Sequence, residues 1–482
     1  MFDTEILYTK LKELSETLNQ KLANLNHIFY ISKPTPENME KYRILEKASF
    51  YFYIGVFLRF TKSSILNFLG YIYYLQETYQ YTKKKNHNFE YIFVSHITKS
   101  QIDIEKDAFF QNLPWKLSKD SSVKLIFLNG NRTPANKISF SVEFPQNMEL
   151  TVIPKFPAIN ILLRYYTQVL RCLPTYVKQF IKSKKLDRKL VFLSYFAYFD
   201  RQSISNLTLK NYFDNLFDTT NLKKCFTTFE GNLFEHYILE GSKKNLAAKF
   251  YFYQHAPILV SQYGLYENIA NFNENCTLLV SGEITHEFFA QILIKMGKPK
   301  IKVINVGSFK FSSHKANLDS EKRNILFAPE GTEIATRELL DLAMRVAVEN
   351  NELNFIFRLH PSLIRNPKIL RLIKNFPKNL KLSSQTLTED ISVSLACIYR
   401  SSSVGIEGGA RGLIPIYFGS SAPELDPLDI MKLSHPRLYT IEDALIFFRN
   451  GTFNSWKNNQ KILDVCNKYF NQQDFNKIFS VE

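Results

Sequence analysis

The chain has 482 residues, too many for one ordinary core, so two domains plus extensions are expected. Hydrophobic residues make up 45% and charged residues 22%, which excludes a disordered chain. The net charge of +16 asks for an anionic partner; its basic residues are dispersed and no RRM, KH, zinc-finger or helix-turn-helix pattern appears, so nucleic acid is set aside and an anionic membrane surface is favoured.

The first 22 residues (MFDTEILYTKLKELSETLNQKL) read as an amphipathic helix without the basic and apolar regions of a signal peptide. Residues 1–88 form a helical extension, broken at Ser32-Lys33-Pro34-Thr35-Pro36 and closed by the polar hinge KKKNHN. Within it, residues 48–75 are apolar and aromatic, but Arg59 and Lys62 interrupt them, short of the roughly 20 apolar residues a span needs. A second stretch, 156–185, mixes apolar residues with Arg164, Arg171, Lys178, Lys182, Lys184 and Lys185. Both have the composition of interfacial helices, and equally of core helices with a basic outer face.

From residue 91 a strand pattern starts. Short apolar runs at 91–95, 123–128, 150–153, 190–193, 224–228, 249–253, 277–280 and 300–306 alternate with helical stretches. This βαβ rhythm predicts a parallel sheet covered on both faces over residues 89–311. The polar segment 312–322 reads as a linker. A second series over 323–450 has strands at 323–329, 353–359 and 394–400 and helices at 334–350 and 429–449, with a helical tail at 451–482. Two Rossmann-like halves facing across a cleft is the expected α/β architecture; one large doubly wound sheet is the alternative.

Ligands of open α/β sheets sit at the carboxyl ends of the strands. In the first half, strand 224–228 leads into Phe229-Glu230-Gly231, and strand 249–253 into Gln254-His255. An acid and an imidazole at neighbouring strand ends suit deprotonation of an acceptor hydroxyl, with Glu230 first and His255 second as the base. Glu235 and Gln254 are candidate acceptor contacts, although Glu235 also fits the first turn of a helix by charge alone. In the second half the junctions are Glu330-Gly331-Thr332, His360-Pro361-Ser362 and Ser401-Ser402-Ser403, the last followed by Gly405, Glu407, Gly408, Gly409 and Gly412. Hydroxyls and free N–H groups at helix starts suit phosphate. His360 can donate to a phosphate or a leaving oxygen, with Pro361 opening a helix. Gly331, Thr332, Arg358, Ser401, Ser402 and Ser403 are assigned to a nucleotide, Glu407 to its ribose, and the glycines to close approach of the ligand. No GxGxxG, GxxxxGK[ST] or DxD is present, and Cys172, Cys225, Cys276, Cys397 and Cys466 are dispersed without a CxxC pair. A metal site and a disulfide framework are therefore not expected, and a reducing compartment is.

The order FEGNLFEHYIL, YQHAP, ILFAPEGTE, FRLHPS, YRSSSVGIEGGARGLIPIYFG resembles the GT-B-fold glycosyltransferases of bacterial surface-carbohydrate (capsule and lipopolysaccharide) biosynthesis. It is similar in layout to the CMP-sugar-using sialyltransferases and the capsule Kdo-transferases, over roughly residues 90–440. The resemblance maps an acid-Gly motif onto Glu230-Gly231, a His-Pro motif onto His360-Pro361 and a serine motif onto Ser402-Ser403. A single acid stands before Gly231 where that group often has two. What it implies is a peripheral enzyme at the inner face of the cytoplasmic membrane. It would move a sialic-acid-like or Kdo-type sugar from a CMP donor to a glycan or lipid-linked acceptor, with no cofactor, no obligatory metal and an inverting course. The teichoic-acid glycerophosphotransferases use a histidine near the position of His255. Alternatives are therefore a CDP-polyol phosphotransferase, a nucleotide-sugar epimerase on the same fold, and a non-enzymatic glycan-binding scaffold of an export complex.

Overall fold

The computed structural model describes residues 4–17, 45, 51, 53–58, 61–63, 88–96, 101–102, 107–128, 139–140, 145–153, 157–183, 185–218, 222–310, 324–419 and 425–480. The break at 32–36, most of the aromatic stretch 48–75, the start of the hinge and the linker 312–322 lie outside the described residues.

Among the described residues, nine strands belong to the first half. They are β1 (Tyr91–His96), β2 (Gln101–Ile102), β3 (Val123–Leu128), β4 (Ser139–Phe140), β5 (Met148–Val152), β6 (Lys224–Thr228), β7 (Lys249–Gln254), β8 (Cys276–Val280) and β9 (Lys302–Asn305). All but the short β2–β4 pair form one parallel sheet in the order β5-β3-β1-β6-β7-β8-β9. The second half contributes β10 (Asn324–Ala328), β11 (Asn354–Phe357), β12 (Leu380–Leu382), β13 (Ser394–Tyr399), β14 (Ile414–Phe418) and β15 (Arg437–Leu438). Their order is β12-β11-β10-β13-β14-β15, again parallel. Relabelled within its own half, each order is the doubly wound 3-2-1-4-5-6, extended by one strand in the first half. The chain thus has two Rossmann-like α/β domains, the GT-B arrangement expected.

Alternation builds a core on both faces of each sheet. Ile92, Val94, Cys225 and Phe252 point to one cluster, and Phe93, Phe226, Tyr251 and Tyr253 to the other. Ile325, Phe327 and Phe355 oppose Leu326, Ile356 and Cys397 in the same way. With both faces covered, the strands read as near-continuous apolar runs.

Two expected elements differ. Residues 190–193 lie inside the helix Lys185–Ala197. Their short apolar run looks like a strand because the helix is sandwiched, with Leu190, Val191 and Leu193 all buried. The helix expected at 429–449 is a 3-10 turn (Asp429–Met431), then β15, then a helix only from Ile441. Lys432 sits at φ 48 and ends the first turn, and Thr440 caps the helix that follows. The last residues return to the first half: Phe475 and Ile478 are buried in its sheet core, and the Ile258 N–H donates to the Tyr469 hydroxyl at 2.8 Å.

Candidate functional site

Both sheets reverse strand order at one place, between β1 and β6 and between β10 and β13. Such switch points open the crevice where α/β folds bind ligands. Pairing of Thr228 with Tyr253, extended two residues, puts Glu230 level with His255. Pairing of Ala328 with Tyr399, and of Phe327 with Phe357, puts Glu330, His360 and Ser401 level with one another.

At the first edge His255 Nε2 lies 3.0 Å from Glu230 Oε1. The imidazole is nearly enclosed, with its side chain 8% exposed, whereas 25% of the Glu230 side chain is open. His255 Nδ1 is buried without a hydrogen-bond partner among the described residues. Phe109 stacks obliquely on the His255 ring at 4.3 Å. Phe109 is itself held by Asp107, whose Oδ1 accepts the N–H groups of Phe109 and Phe110, both at 2.8 Å. Burial raises the pKa of Asp107. His96, at the end of β1, completes the edge. Its ring meets Phe234 at 5.3 Å, and burial pushes its pKa down to about 4 against the pull of Glu230. His96 is therefore neutral at physiological pH, able to donate and accept a hydrogen bond.

The loop carrying Glu230 is built from behind. Glu235 is fully buried, and its carboxyl accepts the N–H of Glu230 and of Gly231, each at 2.8 Å. The side-chain amides of Asn232 and Asn268 also donate to it. Burial pushes its pKa up to about 8. Glu235 is thus a loop-holding residue and not the acceptor contact expected, because its oxygens are already engaged and enclosed. Gln254 departs in the same way. It is 2% exposed, it donates to the Ala256 carbonyl, and Ser281 Oγ contacts it at 3.4 Å. Gly231 adopts φ +75, and a Cβ there would meet Leu265 N at 2.3 Å. Only glycine fits, and the reason is backbone packing.

At the second edge His360 Nδ1 lies 2.8 Å from Ser362 Oγ, which donates to the Gly331 carbonyl at 3.1 Å. A Cβ on Gly331 would come within 2.7 Å of His360 Nδ1. His360 Nε2 has no protein partner among the described residues. Desolvation, then the Lys310 ammonium, hold its pKa below the ordinary value. Lys310, arriving from beyond β9, reaches Ser403 Oγ at 3.0 Å, so the two carboxyl edges face one another. Ser403 Oγ also donates to Glu407 at 2.7 Å, and Ser402 Oγ accepts the Val404 N–H at 3.3 Å. Ser401 sits at φ 52 with its hydroxyl buried and unpartnered among the described residues, the kind of strained strand end that collects at functional sites. Lys310, Glu407 and Arg411 line a small open hollow beside Phe470. Arg411 Nη1 is buried there without a partner among the described residues.

Thr332 does not cap its helix through the side chain; it donates to Glu330 at 3.1 Å. Three other expectations change. Arg358, expected at the nucleotide, is engaged by Asp390 at 2.8 Å and by the Gln385 carbonyl, so it braces the sheet edge. Pro361 opens a turn and no helix; the next helix starts at Pro367 under an Asn366 cap. Gly405, Gly408 and Gly409 serve packing, and Gly412 turns the chain at φ 87. A Cβ on Gly405, Gly408 or Gly409 would lie 2.5 Å from the Tyr399 ring, 2.8 Å from Cys397 Sγ or 2.7 Å from Cys466 Sγ. No group of metal-ligating side chains occurs among the described residues.

Reasoning from sequence missed His96, Lys310 and the Asp107–Phe109 brace, and gave Ser362 no role of its own within its junction. His96 carried the same signal as His255, a histidine at a strand's carboxyl end, but the strand was read as stopping at 95. Asp107 and Lys310 carry no local pattern and are recruited only by the tertiary fold.

No protein-family model matches the chain, and no curated protein matches it in sequence. Solved structures overlap it loosely. The pneumococcal O-GlcNAc transferase GtfA, in complex with UDP and GlcNAc, is similar at 11% identity and TM-score 0.34, over 55% of this chain and 56% of that one. The UDP-GlcNAc 2-epimerase of Neisseria meningitidis, bound to UDP-GlcNAc, is similar at 9% identity and TM-score 0.40, over 81% and 98%. MnaA of S. aureus, in a co-structure with UDP, gives 8% identity and TM-score 0.43, over 81% and 95%. The chain spans little more than half the length of the transferase.

Proposed function

We propose that the chain is a metal-independent glycosyltransferase that moves a sugar from a nucleotide-sugar to a glycan acceptor. One observation carries the reading: a Glu–His pair at one carboxyl edge faces a cationic, hydroxyl-rich edge that also carries His360. The first edge supplies proton chemistry and the second supplies anion binding, which is the division that sugar transfer requires.

Glu230, the more open member of its pair, takes the proton from the acceptor hydroxyl. His255 donates to its carboxylate through Nε2 and orients it. The acceptor oxygen bonds to the anomeric carbon as the bond from that carbon to the phosphate oxygen breaks. The departing nucleotide phosphate is met by His360, Lys310 and the hydroxyls of Ser402 and Ser403. A single base and a single displacement give inversion. Glu407 and Arg411, beside Lys310, are placed to meet the nucleoside. The motif order favours a CMP-linked sialic-acid-like or Kdo-type sugar. The acceptor belongs to a surface polysaccharide assembled at the inner face of the cytoplasmic membrane.

The test is release of nucleotide from CMP-, UDP-, GDP- and CDP-linked donors, followed by transfer. Turnover of a CMP-sugar supports the full reading. A preference for another sugar nucleotide revises the donor alone. Transfer of a polyol phosphate from a CDP donor, or epimerisation without transfer, overturns the reading.

A further inference from the structure

We infer that the helix Ile159–Lys182 is a docking element for an anionic lipid bilayer. Across its 24 residues, Ile159, Leu163, Leu170, Leu173, Val177 and Ile181 are all exposed, Leu163 and Leu170 at 59% and Ile181 at 69%. At 3.6 residues per turn these six positions fall within an arc of about 80°. Tyr165, Val169 and Tyr176 are buried on a different side of the helix, so the stripe is not its core face. Arg164, Arg171, Lys178 and Lys182 are exposed and lie about 100–140° round from the stripe's centre, all on the flank away from the core. No acidic residue occurs from 150 to 186. An exposed apolar stripe beside an unbroken cationic flank matches lipid tails beside anionic headgroups, with the long basic side chains reaching back to the phosphates. Exposed Tyr51, Ile54, Phe57 and Leu58 widen the apolar surface, and Tyr53 packs on Phe180 of the helix at 5.9 Å. No helix among the described residues is long and apolar enough to cross a membrane, so the contact is in the plane of the surface.

The position matters for the reaction. The helix follows β5, so it starts at the sheet's carboxyl edge, where Glu230 and His255 lie. Three and four strand spacings, about 14 and 19 Å, separate β5 from β6 and β7, the strands that carry them. A bilayer under this helix holds the acceptor side of the cleft at the lipid surface, where a glycan on a lipid carrier is presented. This deepens the membrane placement proposed above and is independent of the nucleotide chemistry.

The experiment is co-sedimentation of the full chain with phosphatidylethanolamine vesicles, with and without phosphatidylglycerol, at rising salt. The wild type should bind the anionic vesicles and be released by salt. L163E/L170E/V177E and R171E/K178E should each bind about tenfold more weakly or worse, with unchanged melting temperature and unchanged nucleotide affinity by calorimetry. Failure of the wild type to sediment at low salt overturns the inference. So does wild-type binding by both variants. A fall in melting temperature of the first variant would show the stripe to be covered within the folded chain, and loss of a wild-type dimer without vesicle binding would assign it to a second copy; either overturns it. A nucleotide-binding defect in the wild type would count against the enzymatic reading alone.

Discussion

The two halves share a strand order and differ in what they load on it. The first edge carries ionisable groups packed among rings: His255 lies against Phe109, and His96 against Phe234. The second carries hydroxyls and an accessible imidazole, and it is met by the Lys310 ammonium reaching over from the first half. An enclosed aromatic setting tunes proton affinity, as at His96, where desolvation lowers the pKa. A polar, open one receives a charged ligand already bound to water. One scaffold therefore supplies both environments through a few residues beyond each strand end.

The contrast breaks most visibly at Glu230. Glu230→Gln should lower transfer by about 10²–10⁴-fold, the scale for a positioned base, with melting temperature held. Near-normal transfer, with collapse in His255→Ala, would move the base to His255. Gly231→Ala is the structural counterpart: a Cβ 2.3 Å from the Leu265 backbone at φ +75 should cost about 3 kcal/mol by denaturant titration. A smaller effect separates the edges by pH. His96 is depressed to about 4 in the folded chain and titrates near its ordinary value when unfolded, so the unfolded chain binds the extra proton first. Its contribution is complete above about pH 6.5 and is lost progressively as pH falls toward about 4. His96→Asn should flatten that limb of the stability profile. The smallest effect is expected at Ser403→Ala, about 1 kcal/mol of nucleotide affinity by calorimetry.

Much of this was legible in the chain. Parallel strands buried on both faces announce themselves as apolar runs, and the junctions at 230, 255, 331, 360 and 401 stand at the carboxyl edges as read. The failures have two causes. Leu190–Leu193 and 429–449 failed because a short apolar run has no period of its own, and because the positive φ of Lys432 is invisible in sequence. Glu235, Gln254 and Arg358 failed because residue type names a chemistry without saying which neighbour claims it. Glu235 is claimed by two backbone N–H groups, and Arg358 by Asp390. The room that Gly405, Gly408 and Gly409 suggest for a ligand is filled by Tyr399, Cys397 and Cys466.

The division of labour is tested most directly by calorimetric titration of the donor's nucleotide into Glu230→Gln and His360→Ala in parallel. The account predicts wild-type affinity in Glu230→Gln and a loss of about 1–3 kcal/mol in His360→Ala. The opposite pattern, with affinity lost at Glu230 and kept at His360, would contradict it.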